Sequence, residues 1–104
     1  MSDHDENAAD DDKRWLVVNG RRWRRTDPSL PEDLVASLKS HLGRARAAAK
    51  SAKASADDGA LATARRRVGL AKHGLGERGP AWWDEPEPGR LRRARQALDD
   101  LTAD

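Results

Sequence analysis

Trp15-Leu16-Val17-Val18-Asn19-Gly20-Arg21-Arg22-Trp23-Arg24-Arg25 is the stretch that decides how this chain of 104 residues is read. Asn-Gly between two β-favouring runs is the strongest short-range hairpin signal. A type I′ turn needs positive φ at both central positions, and Asn and Gly tolerate that best. A two-residue loop pairs Val18 with Arg21, Val17 with Arg22, Leu16 with Trp23 and Trp15 with Arg24. Side-chain alternation then puts Leu16, Val18, Arg21 and Trp23 on one face, and Trp15, Val17, Arg22 and Arg24 on the other. A two-stranded hairpin is marginal alone in water. A helix or a partner is therefore expected over the Leu16/Trp23 face, with Trp15 stacking on Arg24 opposite it.

Working outward, everything after Pro28 reads as helix or loop. Ser29 followed by Glu32 matches a capping box, which starts a first helix over about 30–56. Leu34, Leu38, Leu42, Ala45, Ala49, Ala52 and Ala56 step down one side of it at spacings of three and four. Asp57-Asp58-Gly59 breaks that helix and opens a second, ending near His73–Leu75, with Leu61, Ala64, Val68, Ala71 and Leu75 as its seam. The short link favours an antiparallel helical hairpin. After Trp82-Trp83 and a Pro-rich acidic linker, residues 89–102 form an amphipathic third helix on Leu91, Ala94, Leu98 and Leu101. Its apolar face is expected to dock either on the first two helices or on another molecule.

The expected fold is therefore α+β: a short N-terminal β-hairpin packed on an antiparallel helical hairpin, plus a C-terminal helix and a disordered acidic tail. Residues 1–13 are the tail, 14–84 the hairpin and two-helix domain with its Trp-Trp loop, and 85–104 the linker and last helix.

Composition narrows the function classes. Eleven Leu, four Val and four Trp, with no Ile, Phe or Tyr, give a thin core. No cysteine means no disulfide framework and no Cys nucleophile. No run approaches the length of a membrane span, and the acidic start is unlike a signal peptide; a cytoplasmic protein is the expectation. Charge comes in blocks: net −5 over residues 1–13, net +9 over 14–80 and net −2 over 81–104. Fifteen Arg against five Lys, with abundant Ala, is also what a GC-rich genome produces, so Arg content alone argues weakly for nucleic acid.

Gly74-Leu75-Gly76-Glu77-Arg78-Gly79 matches G-x-G-x-x-G literally, but a helix precedes it and Pro80 comes next. It reads as a glycine helix stop rather than a dinucleotide turn. His41 and His73 each stand alone on a helix, and His4 lies among tail carboxylates. No metal site, no cofactor, no small-molecule substrate and no catalytic residue is expected, so the chain reads as no enzyme.

Arg22-Trp23-Arg24, Thr26-Asp27-Pro28, Leu30-Pro31-Glu32 and, later, Leu75-Gly76-Glu77-Arg78-Gly79-Pro80 with Trp82-Trp83 resemble a family of small uncharacterised bacterial proteins that often carry the label biopolymer transporter Tol. The resemblance covers residues 14–84 and implies no activity and no catalytic residues. In that family a short Asn/Pro/Tyr-rich tail comes after the tryptophans, whereas residues 90–104 here read as helix.

Two functions are expected. The first is a non-enzymatic protein-interaction module that contacts an unidentified partner through Trp82, Trp83 and Trp15. The alternative is nucleic-acid binding through Arg21, Arg22, Arg24 and Arg25 on the hairpin, Lys39, Arg46, Lys50 and Lys53 on the first helix, and Arg65 and Lys72 on the second, with the acidic N-terminus as an internal competitor.

Overall fold

The computed structural model of the protein describes residues 11–103. Asn19 and Gly20 both take left-handed backbone, at φ 52° and 77°. The turn they form closes β1 (Trp15–Val18) on β2 (Arg21–Arg24) in the expected register, Trp15 opposite Arg24 and Leu16 opposite Trp23. Residues 1–10 of the expected tail lie outside the described residues, while residues 11–14 form a helical turn that runs straight into β1.

Three helices come next: α1 (Glu32–Ala54), α2 (Asp58–Gly74) and α3 (Glu87–Ala103), with a turn of 3-10 helix, Trp82–Asp84, between the last two. The capping box does not form. Pro31 occupies the N-cap without a side-chain bond, because Ser29 is already engaged: its amide and hydroxyl both donate to Asp27 Oδ1, at 2.9 and 2.8 Å. Glu32 and Asp33 still favour the positive end of the α1 dipole. At the start of α2, Asp57 accepts from the Ala60 amide at 2.9 Å.

The core follows the helical spacing. Leu34, Leu38 and Leu42 of α1 meet Ala71 and Leu75 at the end of α2, and α3 closes over them with Ala94, Ala97 and Leu101. The last helix therefore docks on the first two, and Glu87–Ala103 shares one core with them. A Cβ on Gly74 would stand 2.7 Å from the Cβ of Ala97, so the two helices cross at a point where only hydrogen fits. Because Arg67 donates to the Leu101 carbonyl at 3.0 Å, α3 ends alongside the middle of α2. Beyond it, the far halves of α1 and α2 run as a two-helix arm whose buried residues are Ala45, Ala52 and Ala64.

One buried junction joins these parts. Asp27 is 2% exposed and accepts a bidentate pair from Arg90 of α3, Nε at 2.9 Å and Nη2 at 2.8 Å, besides the two Ser29 bonds. Its own amide donates to the Leu75 carbonyl at 2.9 Å. Trp82 covers the junction: its indole N–H donates to the Arg25 carbonyl at 3.0 Å, and the Arg90 guanidinium lies 5.2 Å from its ring. Gly76, at φ 81°, makes the sharp exit from α2 that lets Asp27 and Trp82 come together beside it.

The hairpin attaches by the face opposite to the one expected. Arg24 Nη1 donates to the carbonyls of Gly79 at 2.8 Å and of Gly76 and Pro80 at 3.4 Å, and Trp15 meets Trp83 edge-on at 5.5 Å. The arginine stacked on Trp15 is its diagonal neighbour Arg22, at 4.2 Å, while Arg24 reaches toward Trp83 at 5.7 Å. Leu16 and Trp23, on the other face, remain 42% and 39% exposed.

Both α1 and α2 end in the same pair of reversed bonds, Asp57 to Ala52 with Ala56 to Lys53, and Glu77 to Lys72 with Gly76 to His73. Where α2 has Gly76, α1 has Ala56, at φ 55°. Ala56→Gly should stabilise the fold by roughly 1 kcal/mol and raise Tm by about 4–8 °C in a thermal melt. Burial pushes the Asp27 carboxyl up, but Arg90 and Ser29 outweigh it and hold it below its ordinary value of 3.8. Its contribution is therefore whole above that pH and fades as pH falls through the lower folded midpoint. Asp27→Ala, which leaves Arg90 buried without its partner, should cost about 3–5 kcal/mol at neutral pH in denaturant titration, with the gap to the parent narrowing below about pH 4.

Candidate functional site

The three tryptophans expected to meet a partner are joined to one another. Trp82 is 7% exposed and sits edge-on to Trp83 at 5.1 Å. Trp83 and Trp15 are half-buried, with Arg14 5.0 Å from the Trp83 ring. Together they form the joint that holds the hairpin to the body. Trp82 is a plug in that joint and offers little surface, and the faces that Trp15 and Trp83 retain are lined by arginine.

The ten expected nucleic-acid contacts separate into two groups. Arg24 is spent on loop carbonyls, and Arg25 Nε donates to the carbonyls of Asp12 at 2.7 Å and Trp15 at 3.1 Å. Arg22 lies on Trp15. Lys39 lines a separate hollow with Asp27, Pro28 and Leu30; the chain leaving β2 at Thr26 lies between that hollow and the rest. The remaining six, Arg21, Arg46, Lys50, Lys53, Arg65 and Lys72, come together on one side of the molecule.

They do so in two hollows that share Arg46. The outer one, of about 520 Å³, lies along the arm, walled by Arg46, Lys50 and Lys53 from α1 and by Arg65 from α2, with Ala49 and Val68 as its apolar lining. The inner one, of about 570 Å³, has Leu16, Val18 and Trp23 of the hairpin on one wall and Arg46 and Lys72 of the helices on the other. Arg21 covers the Trp23 ring at 4.5 Å and Lys72 approaches it at 5.2 Å. Antiparallel helices explain the assembly: Arg46 to Lys53 advances about 10 Å along α1 in the direction that Lys72 to Arg65 advances along α2.

Arg78 completes the outer hollow and was not among the expected contacts. It comes from the loop after α2 and lies back across that helix, where a Cβ on Gly69 would meet its Nη1 at 3.3 Å. A glycine in mid-helix was the sequence signal for that crossing. Among the described residues, Arg46, Lys50, Lys53, Arg65 and Arg78 make no ion pair, so a row of cations faces solvent uncompensated. Among the described residues the carboxylate that lines the inner hollow is Glu77, which accepts from the Thr26 hydroxyl at 2.7 Å.

His41 lies beside Arg44, whose Nη2 is 3.4 Å from its Nδ1, and burial together with the charges of Arg44 and Arg67 holds the imidazole below its ordinary value. Among the described residues no three His, Cys, Asp or Glu side chains converge as metal ligands, and no helix is long and apolar enough to cross a membrane.

Lys72 reports the local field. Burial, then Arg46 and Arg78, lower its ammonium pKa; Glu77 opposes them and Arg21 adds to them. In a side-chain NMR titration, Lys72 should therefore lose its proton at lower pH than an ordinary lysine. Glu77→Gln should lower that midpoint further, and Arg46→Ala should raise it. Comparison with known proteins finds no matching family model, no matching curated protein and no matching solved structure.

Proposed function

We propose that this chain is a non-enzymatic, cytoplasmic module that binds nucleic acid along the α1/α2 groove. The observation that carries the reading is the row of Arg46, Lys50, Lys53, Arg65 and Arg78 around one hollow with no carboxylate among the described residues of its wall. Like charges gathered this closely repel one another in the free protein. A polyanion relieves that repulsion and, on binding, releases the counterions condensed on its own phosphates. Arg and Lys are also the side chains that phosphate oxygens recruit most, through fork geometry for Arg and point charge for Lys.

A second reading, docking of a protein segment on the hairpin, is supported by Val17. It is 64% exposed in a sheet that has two strands among the described residues, and such an edge can accept a further strand. The two readings differ in their response to salt.

The test is binding of random-sequence oligonucleotides across a salt series. Five phosphate contacts on a single strand give a log–log slope of roughly −3.5, and Lys50→Ala or Lys53→Ala should each reduce it by about 0.7 while weakening all sequences alike. Binding that is flat across the series, or untouched by both substitutions, would remove the nucleic-acid reading and leave the hairpin edge.

A further inference from the structure

We propose that the inner hollow makes this site selective for single-stranded nucleic acid, by seating unpaired bases against Leu16, Val18 and Trp23. This rests on the nucleic-acid reading of the same groove and adds to it the class of strand.

Leu16, Val18 and Trp23 share one hairpin face and remain 42%, 45% and 39% exposed, whereas the Leu residues of the core cluster are close to fully buried. The hairpin is held by its opposite face, through Arg24 and Trp15, so this apolar face is turned toward α1 and α2 across a gap and is not closed on them. The gap is asymmetric. One wall is apolar; the other carries Arg46 and Lys72, and from Arg46 the cationic row continues along the arm.

A single strand has the matching asymmetry, with phosphates along one edge and base faces along the other. A duplex stacks its base faces inward and presents phosphates, sugars and base edges at its surface, with no base face free to stack. It would satisfy the cations and leave Leu16, Val18 and Trp23 in water. Glu77 strengthens the distinction: its carboxylate lines the inner hollow and repels a phosphate there, while it can accept from the amino group of a base.

Two cations lie against the Trp23 ring in the free protein, Arg21 at 4.5 Å and Lys72, which lines the hollow, at 5.2 Å. Stacking of a base on an indole is stronger than an exposed cation–π contact. A base seated on the ring therefore displaces a cation from it and frees that cation for a phosphate. Stacking does not distinguish one base from another, so the selectivity is for strand state and not for sequence.

The experiment tests the full chain against a single-stranded oligonucleotide of about 12 nucleotides, within the range of known single-strand sites, against the same sequence folded as a duplex, and against an acidic peptide of equal charge, all at one salt concentration. The single strand should bind about ten-fold more tightly than the duplex and quench tryptophan fluorescence. Trp23→Ala should remove that advantage and leave duplex affinity unchanged, and Trp23→Phe should keep most of it. Since Trp23 lies outside the core, a thermal melt should show both variants folded. Equal binding of both forms, with no effect of Trp23→Ala, would overturn strand selectivity and leave the groove as a general phosphate site. Equal or tighter binding of the acidic peptide would overturn base seating in favour of a protein ligand. Failure of every ligand to bind would overturn this inference together with the reading beneath it.

Discussion

A carboxylate taken out of water must have its lone pairs answered, and Asp27 is fixed from three separate parts of the chain, two that donate to its carboxylate and one that accepts from its amide. Arg90 reaches it from α3, Ser29 from the turn that leads to α1, and its own amide is held by the last residue of the α2 seam. A buried ion pair of this kind is weak evidence for net stability, since desolvation offsets much of the attraction. Its role is better described as geometric: only one arrangement of the hairpin exit, the end of α2 and the start of α3 lets all these bonds form together. Trp82 then excludes water from the assembled junction.

The position of the groove is inherited from that junction. The chain leaves β2 and enters the Asp27 turn within three residues, so fixing Asp27 fixes the base of the hairpin. Arg24, under the carbonyls of the loop after α2, sets its tilt. The arginines thereby acquire separate duties. Arg24, Arg25, Arg90 and Arg93 are absorbed by carbonyls or carboxylates and hold the structure together. Arg46, Arg65 and Arg78 are left facing solvent and can hold something else. Composition alone makes no distinction between these groups.

What could be read from the sequence was what short-range physics controls. The hairpin register comes from Asn19-Gly20, because few dipeptides accept two positive φ angles. The buried faces of the three helices come from three- and four-residue spacing. The failures share a cause in competition or in distance. Ser29 had the right spacing to cap α1, but Asp27, two residues earlier, claimed its hydroxyl and its amide. Which hairpin face would be covered depended on carbonyls more than fifty residues away, and local alternation carries no information about those. The basic stripe on α1 was legible as a helical face, but Lys39 is separated from the others by a segment whose path the helix pattern does not encode. Arg78 sits in a loop, where periodicity is silent.

The arm made by the far halves of α1 and α2 has a consequence for how a ligand would be felt by the rest of the molecule. Its interior is Ala45, Ala52 and Ala64, side chains that let two helices approach closely but remove little apolar surface from water. Amides there should exchange with solvent through local openings well short of global unfolding, whereas those around Leu38 and Leu75 should wait for the whole fold to open. Lys50, Lys53 and Arg65 ride on this least protected segment. An anion that bridges the two helices would therefore do more than occupy a surface. It would draw on the arm's fluctuations, and part of its binding free energy would appear as helical order at the tip.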